Sequence, residues 1–179
     1  MQKTLTSHLV LTILANDRPG IVERIAHVLA LHQGNWTESS MTRLGGKFAG
    51  LLMVDISTNR KDALVDELGN LGKDKIRVHV EESIEGWDSR QLGVTDRVSI
   101  SIVANDRHGI VGEIASLLAA HEINLESLDS YCESAPMAAS NLFHARADLT
   151  LPASLSRRAL SELLESLSDD LMMEIHEEN

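Results

Sequence analysis

The chain has 179 residues, 27 of them acidic and 16 basic, for a formal net charge of -11. That balance argues against a nucleic-acid surface, which needs a basic stripe to displace counterions from phosphates. Two Trp, two Phe and one Tyr give no aromatic platform for stacking bases, so any effect on DNA is expected to run through another protein.

A single Cys132 excludes an intramolecular disulfide and a Cys-rich zinc site, and fits a reducing compartment. The first residues lack a basic segment followed by an apolar one, and no stretch approaches the about 18 apolar residues of a membrane span. A cytoplasmic protein with no membrane association is expected.

In chain order, Leu9, Leu11 and Ile13 alternate with Val10, Thr12 and Leu14, the period of a strand with one face on a core. A polar turn, Asn16-Asp17-Arg18-Pro19-Gly20, follows. Ile21, Val22, Ile25, Ala26 and Leu29 then recur at helical spacing and predict an amphipathic helix packed on the sheet. That helix is expected to end at Gln33-Gly34, with Gly34 as its left-handed cap. Residues 35–44 read as a weak strand, Gly45-Gly46 as a tight hairpin, and 47–56 as the partner strand. Thr58-Asn59 precedes a second helix with Leu64, Val65, Leu68 and Leu71 on one face, frayed at Gly69 and Gly72. Ile76, Val78 and Val80 mark the last strand of this half.

Residues 84–96 contain acids and glycines with no sustained period. They read as a linker between a first domain, 1–83, and a second, 97–179, with Trp87 expected to pack between the two. The second half repeats the order. Val98, Ile100 and Ile102 mark a strand, and Ile110, Val111, Ile114, Ala115 and Leu118 a helix. Strands are expected at 124–132 and 141–150, joined by a 133–140 connection longer than Gly45-Gly46 and long enough to cover a site as a lid. Leu151-Pro152-Ala153-Ser154 is expected to open the last helix, with Leu160, Leu163, Leu164 and Leu167 inward. Leu171, Met173 and Ile175 mark the final strand.

The two halves are a tandem duplication. At a constant offset of 89, His8 to Asn35 lies over Arg97 to Asn124, and Ala15-Asn16-Asp17-Arg18-Pro19-Gly20-Ile21-Val22 returns as Ala104-Asn105-Asp106-Arg107-His108-Gly109-Ile110-Val111. A long period present twice implies two copies of one domain of roughly 80 residues rather than a solenoid. Units this small bury a limited fraction of their surface, so mutual packing or homodimer formation is expected to supplement each core. The β-α-β-β-α-β order is the α+β, ferredoxin-like plan: an antiparallel four-stranded sheet with two helices on one face.

The repeated turn sits between a strand end and a helix start, where free backbone N–H groups and the positive end of the helix dipole converge. That environment suits a carboxylate. Asn16 and Asp17, like Asn105 and Asp106, add oxygens that can accept from a ligand ammonium group, and Gly20 and Gly109 leave room beside the backbone. A plainer alternative is that Asp17 and Asp106 cap their helices, accepting the N–H three residues on. Arg18 and Arg107 recur although neither capping nor core packing requires Arg.

Strand, Asn-Asp-Arg-x-Gly-Ile-Val, helix, and an Asn opening the next strand together resemble the ACT domain. Two copies over nearly the whole chain are similar to the glycine cleavage system transcriptional repressor family. The resemblance implies ferredoxin-like modules that bind an amino acid at the first strand-helix loop. It further implies an accessory repressor, sensitive to glycine, that acts through a DNA-binding activator protein. Carried over by position, the implied effector-binding residues are Asn16, Asp17, Arg18, Gly20, Ile21 and Asn35, then Asn105, Asp106, Arg107, Gly109, Ile110 and Asn124. The copies differ at Pro19/His108 and Glu23/Gly112.

The eight histidines show no close metal spacing, and His32 and His121, late in equivalent helices, suit dipole partners. There is no nucleophile elbow, P-loop or dinucleotide fingerprint, so neither an enzyme nor a cofactor is expected. Two other functions remain open: a regulatory subunit controlling an amino-acid metabolic enzyme, and an interaction scaffold without a small ligand.

Overall fold

A computed structural model describes residues 5–83, 96–134 and 141–176. The chain divides into two compact units, Met1–Trp87 and Asp88–Asn179. In the first, β1 (Thr6–Asn16), α1 (Ile21–Leu31), β2 (Asn35–Leu44), β3 (Lys47–Ser57), α2 (Lys61–Asn70) and β4 (Ile76–Glu82) follow the expected order. The second repeats it with β5 (Asp96–Asn105), α3 (Ile110–Ala120), β6 (Asn124–Ser134), β7 (Asn141–Leu151), α4 (Arg157–Glu165) and β8 (Met172–His176). Each unit holds one four-stranded sheet, β2-β3-β1-β4 and β6-β7-β5-β8, antiparallel throughout. Both are ferredoxin-like α+β units. The expected linker, 84–96, and Trp87 lie outside the described residues except for Asp96, which pairs with Leu151. Of the 133–140 connection, Glu133 and Ser134 belong to β6, and 135–140 lie outside the described residues.

The cores follow from the period-2 pattern. Leu9, Leu11, Ile13 and Ala15 of β1 are buried with Ile25 and Leu29 of α1 and Leu64 and Leu68 of α2, and Val98, Ile100, Ile102 and Ala104 take the same places in the second unit. Removing these side chains from water is the main stabilising term, roughly 1.5–3 kcal/mol for each large one. Gly45 and Gly46 both have positive φ, 56 and 73, as a two-residue hairpin with the right-handed strand twist requires.

Four expectations are corrected. The left-handed residue ending α1 is Gln33 (φ 57), not Gly34, and Glu122 (φ 56) replaces it in α3. The Gln33 N–H donates to Ala30 O (3.1 Å) and the Gly34 N–H to Leu29 O (2.8 Å), a Schellman closure. Gly34 instead lets strand and helix approach, since a Cβ there would meet Val54 Cγ1 at 3.2 Å. Val22, Ala26 and Val65, expected inward, are exposed, and Val28 is buried in their place. The 71–74 segment does not fray: it tightens into a 3-10 turn closed by left-handed Lys75. Finally, α4 opens at Arg157, where the Ser156 hydroxyl accepts from the Ala159 N–H at 3.2 Å; Leu151 still belongs to β7 and Pro152 lies in a turn.

The edge strands β2 and β6 set the units apart. Each carries a bulge, at Trp36/Glu38 and at Leu125/Ser127, which twists an open edge away from further pairing. In the first unit Trp36 and Met41 pack onto the core, with Met41 opposite Gly50. A Cβ on Gly50 would stand 2.8 Å from Met41 Cγ and 3.2 Å from the Ser40 carbonyl oxygen. Gly50→Val is therefore expected to destabilise the first unit by about 1–3 kcal/mol, most of it recovered by adding Met41→Ala. Urea unfolding followed by Trp36 fluorescence measures this; an unchanged midpoint in Gly50→Val would show that Met41 does not fill that space.

Candidate functional site

Both strand-helix loops reach their helices through the same backbone device. Gly20 and Gly109 are the N-cap residues, each with φ 91, and neither helix start has a side-chain cap hydrogen bond. Asp17 and Asp106 therefore do not act as the caps considered above. In α3 the first N–H, that of Ile110, turns to the Arg107 carbonyl at 3.4 Å, and the positive end of each helix dipole lies at its loop.

Each loop is pinned by its unit. The Asp17 N–H donates to the Gly46 carbonyl (3.0 Å) and the Asp106 N–H to the Asn141 carbonyl (2.8 Å), so each aspartate's backbone is fixed by the hairpin beneath. Asn16 Oδ1 accepts from Lys47 Nζ at 2.5 Å, and the Asn105 N–H donates to Asp170 Oδ2 at 2.8 Å. The Ser168 hydroxyl, followed by that N–H, holds the Asp170 carboxyl below its ordinary range.

The recurring arginines take different partners. Arg18 donates to the Asp74 carbonyl at 2.5 Å, and Arg24 pairs with the Asp74 carboxylate. Arg107 is held by both oxygens of Glu113, at 2.5 and 2.6 Å, at the position equivalent to Arg24. That bidentate bond raises the Arg107 pKa and lowers that of Glu113. Both arginines thus have partners in their own unit, which accounts for their recurrence without a ligand.

The aspartates' surroundings also differ. Arg43 of β2 approaches Asp17 at 3.4 Å from an exposed position. Its counterpart, Cys132 of β6, is exposed, and its thiol is pushed up first by desolvation and then by the charge and hydrogen bond of Asp106.

Asn16, Asp17, Arg18, Gly20 and Ile21 lie together in the first loop, and Asn105, Asp106, Arg107, Gly109 and Ile110 in the second, with Ile21 and Ile110 turned into the cores. Asn35 and Asn124 are elsewhere. Asn35 pairs with Asp55, which faces His8, whereas Asn16 faces Lys47 at the other end of the same ladder. Eight residues of strand at about 3.3 Å each put Asn35 roughly 26 Å from that loop. Asn124 likewise pairs with Thr150, opposite Arg97.

Sequence reasoning missed Arg43, Phe48, Val22 and Ala26, which line a hollow with Asp17, Arg18 and Gly20. The signal was available: Val22/Val111 and Ala26/Ala115 recur at the same offset, and each Val is 42% exposed. Among the described residues no group of three or more His, Cys, Asp or Glu is placed to hold a metal ion, and no helix is long and apolar enough to cross a membrane.

A family model described as the ACT domain matches residues 7–81. Relatives named UPF0237 proteins align with part of the chain. One from Methanocaldococcus jannaschii is 36% identical over 70 residues, 38% of this chain and 78% of the relative. One from Bifidobacterium longum is 33% identical over 78 residues, 41% and 87% respectively. The chain belongs to the ACT domain family. A UPF0237 protein from Methanopyrus kandleri is 46% identical over 48 residues, 27% of this chain, which spans about half (53%) of that relative's length. Two solved structures cover both ACT units. An unknown protein from Galdieria sulphuraria has a TM-score of 0.76 at 22% identity, over 96% of this chain and 98% of its own. A protein named as a candidate glycine cleavage system transcriptional repressor has a TM-score of 0.72 at 20% identity, over 97% and 99%. At these identities the likeness is one of fold.

Asp106→Asn is expected to speed iodoacetamide alkylation of Cys132 severalfold near pH 8, because losing the neighbouring charge lowers the thiol pKa and raises the thiolate fraction. Equal rates would show that the Asp106 charge does not reach the thiol.

Proposed function

We propose that this ACT protein is an amino-acid-responsive regulator whose effector, glycine, binds at the Asn16–Gly20 loop. We further propose that it acts as an accessory repressor of the glycine cleavage system, through contact with a DNA-binding activator protein. The observation that carries the reading is the uncapped helix start opened by a left-handed glycine with an aspartate beside it. A zwitterion complements that loop at both ends: its carboxylate meets the N–H groups of Ile21 and Val22 and the helix dipole, and its ammonium meets the Asp17 carboxylate in place of the exposed, 3.4 Å contact from Arg43. Glycine suits the first loop because both of its charged groups find partners there and it brings no side chain that needs a pocket.

The net charge of -11 supports action through a protein partner rather than on DNA. The tandem fold shared with the candidate glycine cleavage repressor is compatible with the same role. Regulation needs a ligand that prefers one state of the protein over another, and a loop joining strand to helix in each unit can transmit such a preference.

In a thermal-shift panel of amino acids, glycine at about a hundred times its dissociation constant is expected to stabilise the native state by roughly 2.7 kcal/mol. Asp17→Ala and Gly20→Leu should abolish that shift while the variants still unfold cooperatively. A panel without any shift, or an unchanged glycine response in Asp17→Ala, would contradict the reading.

A further inference from the structure

The chain carries a net charge of -11, yet one end of the first unit is basic. Arg18, Arg43, Lys47, Lys73, Lys75 and Arg77 lie around the end of the sheet where Asn16 pairs with Lys47 and Ala15 with Ile76. Some of these charges are answered within the unit. The Asp74 carboxylate takes Arg24 and its carbonyl takes Arg18, Asp17 takes Arg43, and Lys73 donates to the Asn70 side chain at 3.1 Å. Lys47, Lys75 and Arg77 differ: among the described residues no carboxylate pairs with them. These three line one hollow of about 350 Å³ with Leu14, Asn16 and Gly72. It lies on the sheet face away from the helices, since Leu14 and Asn16 alternate with the buried Ile13 and Ala15. Its side chains offer donors. Asn16 Oδ1 accepts from Lys47 Nζ at 2.5 Å, which leaves the Asn16 amide N–H groups to donate elsewhere, and the Gly72 carbonyl already accepts from the Lys75 N–H at 3.0 Å. Lys75 closes the 71–74 turn in the left-handed conformation, φ 60, where Gly or Asn is the usual residue.

The fold does not require these cations. In the second unit the equivalent backbone positions hold Leu142, Asp170 and Met172: Leu142 pairs with Asn105 as Lys47 does with Asn16, and Met172 with Val103 as Arg77 does with Leu14. There the chain supplies a carboxylate of its own, Asp170 Oδ2 accepting the Asn105 N–H at 2.8 Å. In the first unit three cations stand at that end with no anion between them. Like charges gathered around one hollow repel one another and favour an anion that meets them all.

We infer that the first unit binds a small phosphorylated molecule in this hollow, its phosphate held by Lys47, Lys75, Arg77 and the Asn16 amide. A single carboxylate leaves two of the cations unanswered, and the ammonium of an amino acid would face only donors. A phosphate monoester carries about two negative charges at pH 7 and several acceptor oxygens. The Arg77 fork matches two of those oxygens, and the lysines act as point charges. Leu14, 36% exposed, supplies an apolar floor for the organic part, and about 350 Å³ holds a molecule of metabolite size. Of the loop residues under Proposed function the hollow uses only Asn16, and the inference does not depend on that reading.

The test is calorimetric titration of the full chain with pyrophosphate in phosphate-free buffer, with citrate and a short DNA duplex for comparison. Pyrophosphate is expected to bind severalfold more tightly than citrate. Arg77→Gln should weaken it about tenfold, and Lys75→Gln carries the same expectation if Arg77→Gln folds poorly. Arg60→Gln removes an exposed cation at the opposite end of the sheet, next to the Thr6–Ser57 pair, and should leave binding within about twofold. The glycine response of the Arg77 variant should match that of the parent chain. No binding at millimolar pyrophosphate, tighter binding of citrate, or an equal loss in Arg60→Gln and Arg77→Gln would overturn the inference. Tighter binding of the duplex than of pyrophosphate, lost in Arg77→Gln, would identify the hollow as part of a nucleic-acid surface and also overturn it.

Discussion

The left-handed conformation at Gly20 and Gly109, φ 91 in both, is the constraint on which each unit depends. It turns a strand whose alternate residues are buried into a helix whose first residue, Ile21 or Ile110, is also buried. A side chain at that φ is strained, so the residue that permits the turn cannot also supply a capping oxygen. The helix start is left without a side-chain cap because of how the chain reverses. The carbonyls of Gly46 and Asn141 accept from the backbone N–H groups of Asp17 and Asp106 and fix each aspartate's backbone beside that turn.

Duplication preserved this device and changed its surroundings. Arg24 gave way to Glu113, so the arginine that reaches the Asp74 carbonyl in one unit is clamped by a carboxylate in the other. Arg43 gave way to Cys132, replacing a cation near the aspartate by a protonated thiol. Trp36 and Met41 gave way to Leu125 and Ser130, and an apolar cavity of about 30 Å³ lies beside Leu125 and Leu128. These are side-chain changes on one shared backbone.

Much of the fold was legible because β1, α1, β5 and α3 carry clean periods and the Gly45-Gly46 turn admits few conformations. The errors fall where tertiary packing overrides local signals. Gly34 reads as a left-handed cap, yet Val54 needs its missing side chain, and Gln33 takes the positive φ. Pro152 looks like a helix start, but the Ser156 hydroxyl is the oxygen that caps α4. Val22 and Val65 are apolar and close to the helix stripe, yet they lie on its exposed margin. Of the site, the loop residues were legible from the repeat. Asn35 and Asn124 recur as faithfully, but recurrence carries no distance, and the ladder puts them at the far end of the sheet. Arg43, Cys132 and the cavity depend on cross-strand register, which a single sequence does not contain.

The proposed glycine site at the start of α1 is tested most directly by an amide NMR titration of the labelled protein with glycine. Glycine is expected to move the amide signals of Gly20, Ile21 and Val22 together with the Asp17 side-chain carboxyl signal. Saturating shifts confined to other surfaces, or none at millimolar ligand, would contradict it.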